Sequence, residues 1–472
     1  MPSTISGVGE PVVVIMAAGQ GTRMRSKTPK LLHQICGKAM IWWTVNAARE
    51  AGAREIIVVD AAGEPLRASL EEFAPEARLV VQQVACGTGD AVKAALGQIS
   101  PADTVVVITG DTPLIRAASI AGLVAAHEAA DAAATILTAI LDEPGAYGRV
   151  VRDAQGEVLG VVEAKTGSGD ANPEQLLIRE VNSGIFAFNG RSLLAALPQV
   201  GNDNAQGEYY LPDVLPIIRR RGERVIGHVL TDPVEMWGVN DRVQLQAVTE
   251  VAQRRILEHH MRGGATIIAP QSTVIDVDVK LGRDITILPG TGLYGQTEIA
   301  DEACIGPNTS LLDVFVGQGS KVVATHAEGA RIGAHVSVGP FCYLRPGTIL
   351  HDGSKAGTYV ELKNTELGRG SKVPHLSYIG DARIGEGTNL GAATITANYD
   401  GFSKHRTEIG DRVHTGVHTT LVAPVSLADD SWTGAGSPVT KDVPAGALAV
   451  SRARQSNIEG YDERVKSRNL AS

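Results

Sequence analysis

Apolar positions in this chain follow two different rhythms, and the change between them divides it. From Val12 to about residue 230, short β-branched runs alternate with helical stretches. Val12-Val13-Val14-Ile15, Glu55-Ile56-Ile57-Val58-Val59, Arg78-Leu79-Val80-Val81 and Thr104-Val105-Val106-Val107-Ile108 read as strands, with Ala39–Ala51 and Thr88–Leu96 as helices among them. The alternation predicts right-handed crossovers and a mainly parallel sheet covered on both faces, an α/β arrangement. Ligands of such a sheet bind beyond the C-terminal ends of its strands, so chemistry is expected just after Ile15, Val81 and Ile108.

From about residue 265 to 445 the apolar residues recur every six positions, with interruptions. Ile275, Leu281, Ile287, Leu293, Ile299, Ile305 and Leu311 are in phase, and the beat returns at Ile332, Val338 and Leu344 and from Leu367 to Leu390. Many of these residues precede a small one, as in Leu281-Gly282, Ile332-Gly333 and Ile384-Gly385. A period of six fits neither an amphipathic helix nor a two-faced sheet. It predicts a parallel β-helix, with aliphatics inside a thin prism and small residues at tight corners. Between the two rhythms, Leu245, Val248, Ala252 and Ile256 mark one long helix that Gly263-Gly264 ends. It is either a rigid connector or a helix packed on the first domain. His259-His260 in its last turn is expected to supply helix-end charge rather than a metal pair, because neighbouring helical residues point to different faces.

A length of 472 residues already calls for two or more domains. The expected boundaries are 1–240, 241–264 for the linker helix and 265–472, whose polar tail from Arg452 is expected to be partly mobile. A formal charge of -9 argues against nucleic acid as the main partner. Cys36, Cys86, Cys304 and Cys342 lack metal-ligand or CxxC spacing and read as reduced thiols of a cytoplasmic protein. The first apolar run enters a glycine-rich turn and so reads as a buried strand, not a signal peptide. No stretch is long enough to suggest a membrane span.

The candidate chemistry begins in that turn. Ala17-Ala18-Gly19-Gln20-Gly21-Thr22-Arg23-Met24 follows the first strand, and Pro29-Lys30 comes shortly after. Met24 replaces the third glycine of a dinucleotide fingerprint, and the Gly-Lys-Ser/Thr of a Walker A loop is missing. The glycines still let backbone N–H groups approach an anion, and Arg23 and Lys30 can add charge to a triphosphate or a departing pyrophosphate. The string with its Pro-Lys resembles the signature of sugar-nucleotide pyrophosphorylases. By that resemblance, Met16, Ala17, Ala18, Gly19 and Lys30, with Gln82, Gly87, Thr88, Thr109 and Gly110, bind UTP. Asp111 and Asn240 hold Mg2+, and Gly148, Glu163 and Asn182 hold the amino sugar. Taken alone, Asp111 reads equally well as a turn residue and Asn240 as a helix cap. The fold implied for 1–240 is a Rossmann-like nucleotidyltransferase domain. The reaction implied is attack of a sugar phosphate on the α-phosphorus of UTP, with Arg23 and Lys30 catalytic by charge.

In the second half, the informative residues are those that break the small, apolar rung pattern: Arg345, Lys363, His375, Tyr378, Asn389, Asn398 and Tyr399. A lone rung histidine is usually structural. With Arg345, Lys363 and Tyr378 on successive coils, His375 can take a proton from an amine attacking a thioester while the cations anchor a sugar phosphate. From about Thr396 to Glu408 the beat is interrupted, with a turn at Asn398-Tyr399-Asp400-Gly401. Leu344-Arg345-Pro346-Gly347, Val360-Glu361-Leu362-Lys363, His375–Ala382 and Thr394–Gly401 resemble the acetyltransferase half of bacterial bifunctional enzymes. These enzymes combine glucosamine-1-phosphate N-acetyltransferase with N-acetylglucosamine-1-phosphate uridylyltransferase.

That resemblance covers nearly the whole chain and implies a left-handed β-helix over 265–472. His375 would be the general base. Arg345, Lys363, Tyr378 and Asn389 would bind amino-sugar phosphate. Ala392, Asn398, Tyr399, Val417, Ala435 and Arg452 would bind acetyl-CoA. It also implies a homotrimer with acetyl-transfer sites between neighbouring copies, and a product that feeds peptidoglycan. Two positions depart from the family pattern: Ala393 stands where glycine is usual, and Val417 where serine is usual. Val417 is expected to weaken or alter acetyl-CoA binding without abolishing activity. The competing readings are a monofunctional pyrophosphorylase with a regulatory β-helix and a non-catalytic assembly subunit. His375 with Arg345 and Lys363 argues against the first, and intact Arg23, Lys30, Asp111 and Asn240 against the second.

Overall fold

The structure is a computed structural model that describes residues 9–164, 171–204 and 207–470. It divides into two compact units, Met1–Gln253 and Arg254–Ser472, and the division falls inside the helix Arg242–Arg262. No helix among the described residues is long and apolar enough to cross a membrane.

The first unit is built on a mixed sheet. Its main strands are β1 (Val12–Met16), β2 (Glu55–Ala61), β3 (Arg78–Gln82), β4 (Thr104–Thr109), β5 (Ala134–Ile140), β6 (Glu180–Asn189) and β7 (Val225–Val229), in the order β7-β5-β6-β4-β1-β2-β3. The β-branched runs become strands because both sheet faces are covered, and Val12 to Ile15 and Val105 to Ile108 are wholly buried. Neighbours of β1 are parallel, with Met16 beside both Val59 and Thr109. Their C-terminal ends therefore open on one side. β6 runs antiparallel between β4 and β5. Here the chain returns through a hairpin, Arg149–Arg152 with Val158–Val162, so the next main strand enters in the opposite direction. Phe186 and Phe188 of β6 stack at 5.6 Å within the core.

The second unit is a left-handed parallel β-helix whose hexapeptide rungs form three stacked columns. Ile275 pairs with Leu293 and Leu293 with Leu311, so three hexapeptides make one coil. The second column runs Leu281, Ile299, Val316, Ile332, and the third Ile287, Ile305, Val322, Val338. Where a glycine follows the aliphatic, close approach of the next coil requires it. A Cβ on Gly333 would lie 2.9 Å from the Asp352 backbone nitrogen. The left-handed backbone conformation falls on Gly306 and Gly339 and on non-glycine corner residues, among them Tyr359, Leu376, Ala393 and His418. Ala393, at φ 55, is one of several non-glycine residues on that corner.

Asp241 caps the helix Arg242–Arg262, its side chain accepting from Val243 and Gln244 N–H at 2.9 Å. At the far end His260 is buried, and its pKa is pushed down to about 4 by burial and by His259. The expectation of helix-end charge is therefore wrong for His260, which is neutral at pH 7 because it lies out of water. In the polar tail the structure places a helix, Tyr461–Leu470, that nothing in the apolar pattern signalled.

Candidate active sites

In the first unit a cleft of about 450 Å³ opens beyond the C-terminal ends of β1, β3 and β4. Met16, Ala17, Ala18, Gly19, Lys30, Gln82, Gly87, Thr88, Thr109 and Asp111 line it. Gly110 lies between the last two and donates its N–H to Met16 O at 2.9 Å, which joins the loops after β1 and β4. Gly21 is left-handed, at φ 62, and a Cβ there would lie 2.6 Å from Cβ of Lys30. Only glycine lets the lysine pass so close.

Lys30 Nζ lies 2.5 Å from Asp111 Oδ2 and donates to Asn240 Oδ1 at 3.5 Å, while Arg23 Nη2 donates to the same oxygen at 2.9 Å. Four residues from three separated segments thus form one cluster. Val239 N–H, bonded to Asp111 O at 2.9 Å, aligns the two segments that supply the oxygens. Because Asp241 takes the capping role, the Asn240 side chain is left facing Arg23. Asp111 Oδ2 and Asn240 Oδ1 converge on a single cationic point, the Lys30 ammonium. One carboxylate and one amide oxygen so placed fit Mg2+, which takes its other ligands from phosphate and water. Among the described residues no three His, Cys, Asp or Glu side chains could hold a metal on their own.

Gln82 is buried and donates to Asp90 Oδ2 at 2.7 Å and to Gly87 O at 3.4 Å. Asp90, which the motif did not single out, therefore orients it. Thr88 Oγ1 accepts from Leu211 N–H at 3.0 Å, and Gly89 N–H donates to Tyr209 O at 2.7 Å. Glu208, from that same distant segment, lines the cleft and carried no local signal in the sequence. Gly148, Glu163 and Asn182 also come together. Asn182 N–H donates to Gly148 O at 2.9 Å, and a Cβ on Gly148 would lie 3.4 Å from Glu163 Oε1. Glu163 lines an adjoining hollow with Tyr210 and Asp213 rather than the main cleft. Tyr147, next to Gly148 in the chain, belongs with this region. Burial and the Asp111 charge raise its pKa, which puts it in the field of the same cluster.

On the β-helix the predicted residues fall into two columns. In the first, Arg345 N–H donates to Leu362 O at 2.9 Å, and Lys363 pairs in register with Gly380, so the two cations sit one coil apart. Arg345 Nη1 contacts Glu361 Oε1 at 3.1 Å. Lys363 Nζ lies 3.0 Å from Asp381 Oδ2, which also takes the Asn398 amide at 2.6 Å; Asp381 Oδ1 takes the Asn364 amide at 2.8 Å. Burial pushes the Asp381 carboxyl up, but hydrogen bonds from Asn364, Lys363 and Asn398 outweigh it and hold the pKa below the usual range. Gly380 leaves a gap that Tyr378 fills, its hydroxyl passing close over the glycine. Asp381 and Glu361 are further residues of this group, to which the sequence pattern assigned no role.

The second column is a corner. Thr358 pairs with His375, Ala393 N–H donates to His375 O at 3.2 Å, His418 N–H to Ala392 O at 2.8 Å, and Gly436 N–H to Val417 O at 2.8 Å. Arg452 Nη1 closes the series on Ala435 O at 2.9 Å. His375, Ala392, Val417, Ala435 and Arg452 therefore ascend one edge of the prism, coil by coil. Asn389 lies on the face leading to this edge, bridged to Lys372 and His414, not on the face of Arg345 and Lys363. In the interruption, Tyr399 bridges Lys404 as a hairpin, and its hydroxyl donates to Gly401 O at 2.6 Å. Asn398 thus joins the Lys363 group, while Tyr399 is turned to its own hairpin.

A family model for the MobA-like NTP transferase domain matches residues 13–177. Proteins called Bifunctional protein GlmU resemble nearly the whole chain. That of Paenarthrobacter aurescens is 48% identical over 463 residues, covering 96% of this chain and 92% of its own. That of Streptomyces avermitilis is 47% identical, with 98% and 96% covered, and that of Corynebacterium efficiens 46% identical, with 96% and 94% covered.

Proposed function

The chain belongs to the GlmU family of bifunctional enzymes of UDP-N-acetylglucosamine synthesis, and from that premise we propose which residues perform each reaction. The observation that carries the assignment is the convergence of Arg23, Lys30, Asp111 and Asn240 at the strand ends of the first unit, while the His375 edge belongs to the second.

Acetyl transfer comes first. Arg345, Lys363 and Tyr378 hold the phosphate of glucosamine-1-phosphate, with Asn389 at the edge of the site. His375 accepts a proton from the amine as its nitrogen attacks the thioester carbonyl of acetyl-CoA. The C–N bond forms, the C–S bond breaks, and CoA leaves as the thiol. Acetyl-CoA lies along the edge marked by Ala392, Val417, Ala435 and Arg452; Asn398 serves the Lys363 group through Asp381 instead, and Tyr399 closes its own hairpin.

Uridylyl transfer follows in the cleft. Gln82, Gly87 and Thr88 hold the uracil, and Gly148, Glu163 and Asn182 the N-acetylglucosamine. A phosphate oxygen of the sugar attacks the α-phosphorus of UTP, and the bond to the bridging oxygen breaks to release pyrophosphate. No protein nucleophile is required; alignment and charge suffice. Lys30 and Arg23 neutralise charge on the phosphates. Asp111 and Asn240 would hold Mg2+, which when bound supplies further neutralisation of the triphosphate. We place the enzyme in the cytoplasm, where both co-substrates are found, and propose that it acts as a homotrimer with acetyl-transfer sites between neighbouring copies.

The test supplies glucosamine-1-phosphate, acetyl-CoA, UTP and Mg2+ and follows free thiol and pyrophosphate separately. Both products are expected, thiol first. Pyrophosphate only from added N-acetylglucosamine-1-phosphate, with no thiol, would contradict the acetyltransferase half.

A further inference from the structure

Two segments supply the oxygens of the uridylyl-transfer cluster. One follows β4 and carries Asp111; the other precedes the long helix and carries Asn240. Contacts near both ends join them. Val239 N–H donates to Asp111 O at 2.9 Å. Farther along, Glu235 Oε2 accepts the Arg116 N–H at 3.0 Å, and Glu235 Oε1 lies 3.6 Å from Arg116 Nε. The contacts pair 111 with 239 and 116 with 235, so the segments run antiparallel. Arg116 also reaches Asp232 Oδ2 at 3.1 Å. The Glu235 side chain is only 3% exposed, and Arg116 covers it.

A carboxylate this deeply buried is retained only with partners, and each oxygen of Glu235 has one on Arg116. Val239 holds the segments at one end; at the other, Glu235 and Asp232 together hold Arg116, and Glu235 is the one of the two that is buried, bonding both the backbone and the guanidinium of Arg116. We propose that Glu235 is a positioning residue for uridylyl transfer. It holds Arg116 and thereby sets the approach of Asp111 to Asn240. The proposal rests on the reading of Asp111 and Asn240 as the divalent-cation pair. Residues that orient metal ligands typically alter affinity about 10- to 100-fold when changed.

The test uses the full-length protein with UDP-N-acetylglucosamine bound and Mn2+ as the probe, its free concentration read by electron paramagnetic resonance. Glu235→Gln keeps an acceptor for the Arg116 N–H but removes the ion pair. It is expected to weaken Mn2+ binding about 10-fold or more. The same variant should raise the Mg2+ needed for half-maximal uridylyl transfer, with kcat recovering at saturating Mg2+. Glu235→Asp should restore part of the affinity, and acetyl transfer should be unchanged. Wild-type Mn2+ binding by Glu235→Gln, when Asn240→Ala binds weakly, overturns the proposal alone. A lower kcat that Mg2+ does not restore also overturns it, as a merely structural effect. Unchanged Mn2+ binding by Asn240→Ala overturns the metal reading and this proposal together.

Discussion

His375 and Lys30 act by different means, and their replacement should have separable effects. His375 moves a proton, so His375→Ala should lower acetyl transfer about 10²- to 10⁴-fold and leave uridylyl transfer intact. Lys30 supplies fixed charge beside Asp111 and Asn240, so Lys30→Ala should lower uridylyl transfer about 10²- to 10³-fold and spare acetyl transfer. Separate assays of thiol and pyrophosphate check both; equal loss of the two activities in either variant contradicts the division. Val417 stands on the His375 edge between Ala392 and Ala435, 47% exposed and with no polar side-chain atom. Val417→Ser should lower the acetyl-CoA KM, and an unchanged KM would show that the position is not part of that site. Most of these residues were legible because they break a local pattern. Asp90 and Glu235 were not, since each acts through a residue brought near it by the fold.

At the scale of elements, the long helix ends on a titratable group hidden from water. Its boundaries were readable from the apolar spacing and Gly263-Gly264, but the state of His260 depends on tertiary burial, which adjacent histidines do not reveal. His260 has a folded pKa of about 4, below its unfolded value of about 6.5, so the unfolded chain takes up the proton first. Stability is then complete above about pH 6.5 and falls as the pH drops toward 4, by on the order of 3 kcal/mol from this group. His260→Gln should flatten that part of the profile. Urea midpoints of the two proteins from pH 7 to 4.5 check it; parallel profiles would mean that His260 titrates normally. The antiparallel β6 was also missed. The apolar runs after Ile108 were not read as strands, and direction depends on whether a helix or a hairpin makes the return; the turn signal Asp153-Ala154-Gln155-Gly156 of the Arg149–Val162 hairpin was passed over. The β-helix was the most legible element, because each rung repeats the same steric demand.

One chain carries a strand-end cleft in its first unit and a prism edge in its second. What the sequence left open was how residues more than two hundred positions apart meet, as Arg23 and Asn240 do. On this account the two centres share an intermediate, N-acetylglucosamine-1-phosphate, and not catalytic residues. The most direct measurement is pyrophosphate release from glucosamine-1-phosphate, acetyl-CoA, UTP and Mg2+ by His375→Ala and Lys30→Ala, each alone and then mixed. Each variant alone should release little, and the mixture should restore the reaction, because one makes the acetylated sugar and the other consumes it. Failure of the mixture to exceed the separate variants would contradict two independent centres acting in sequence.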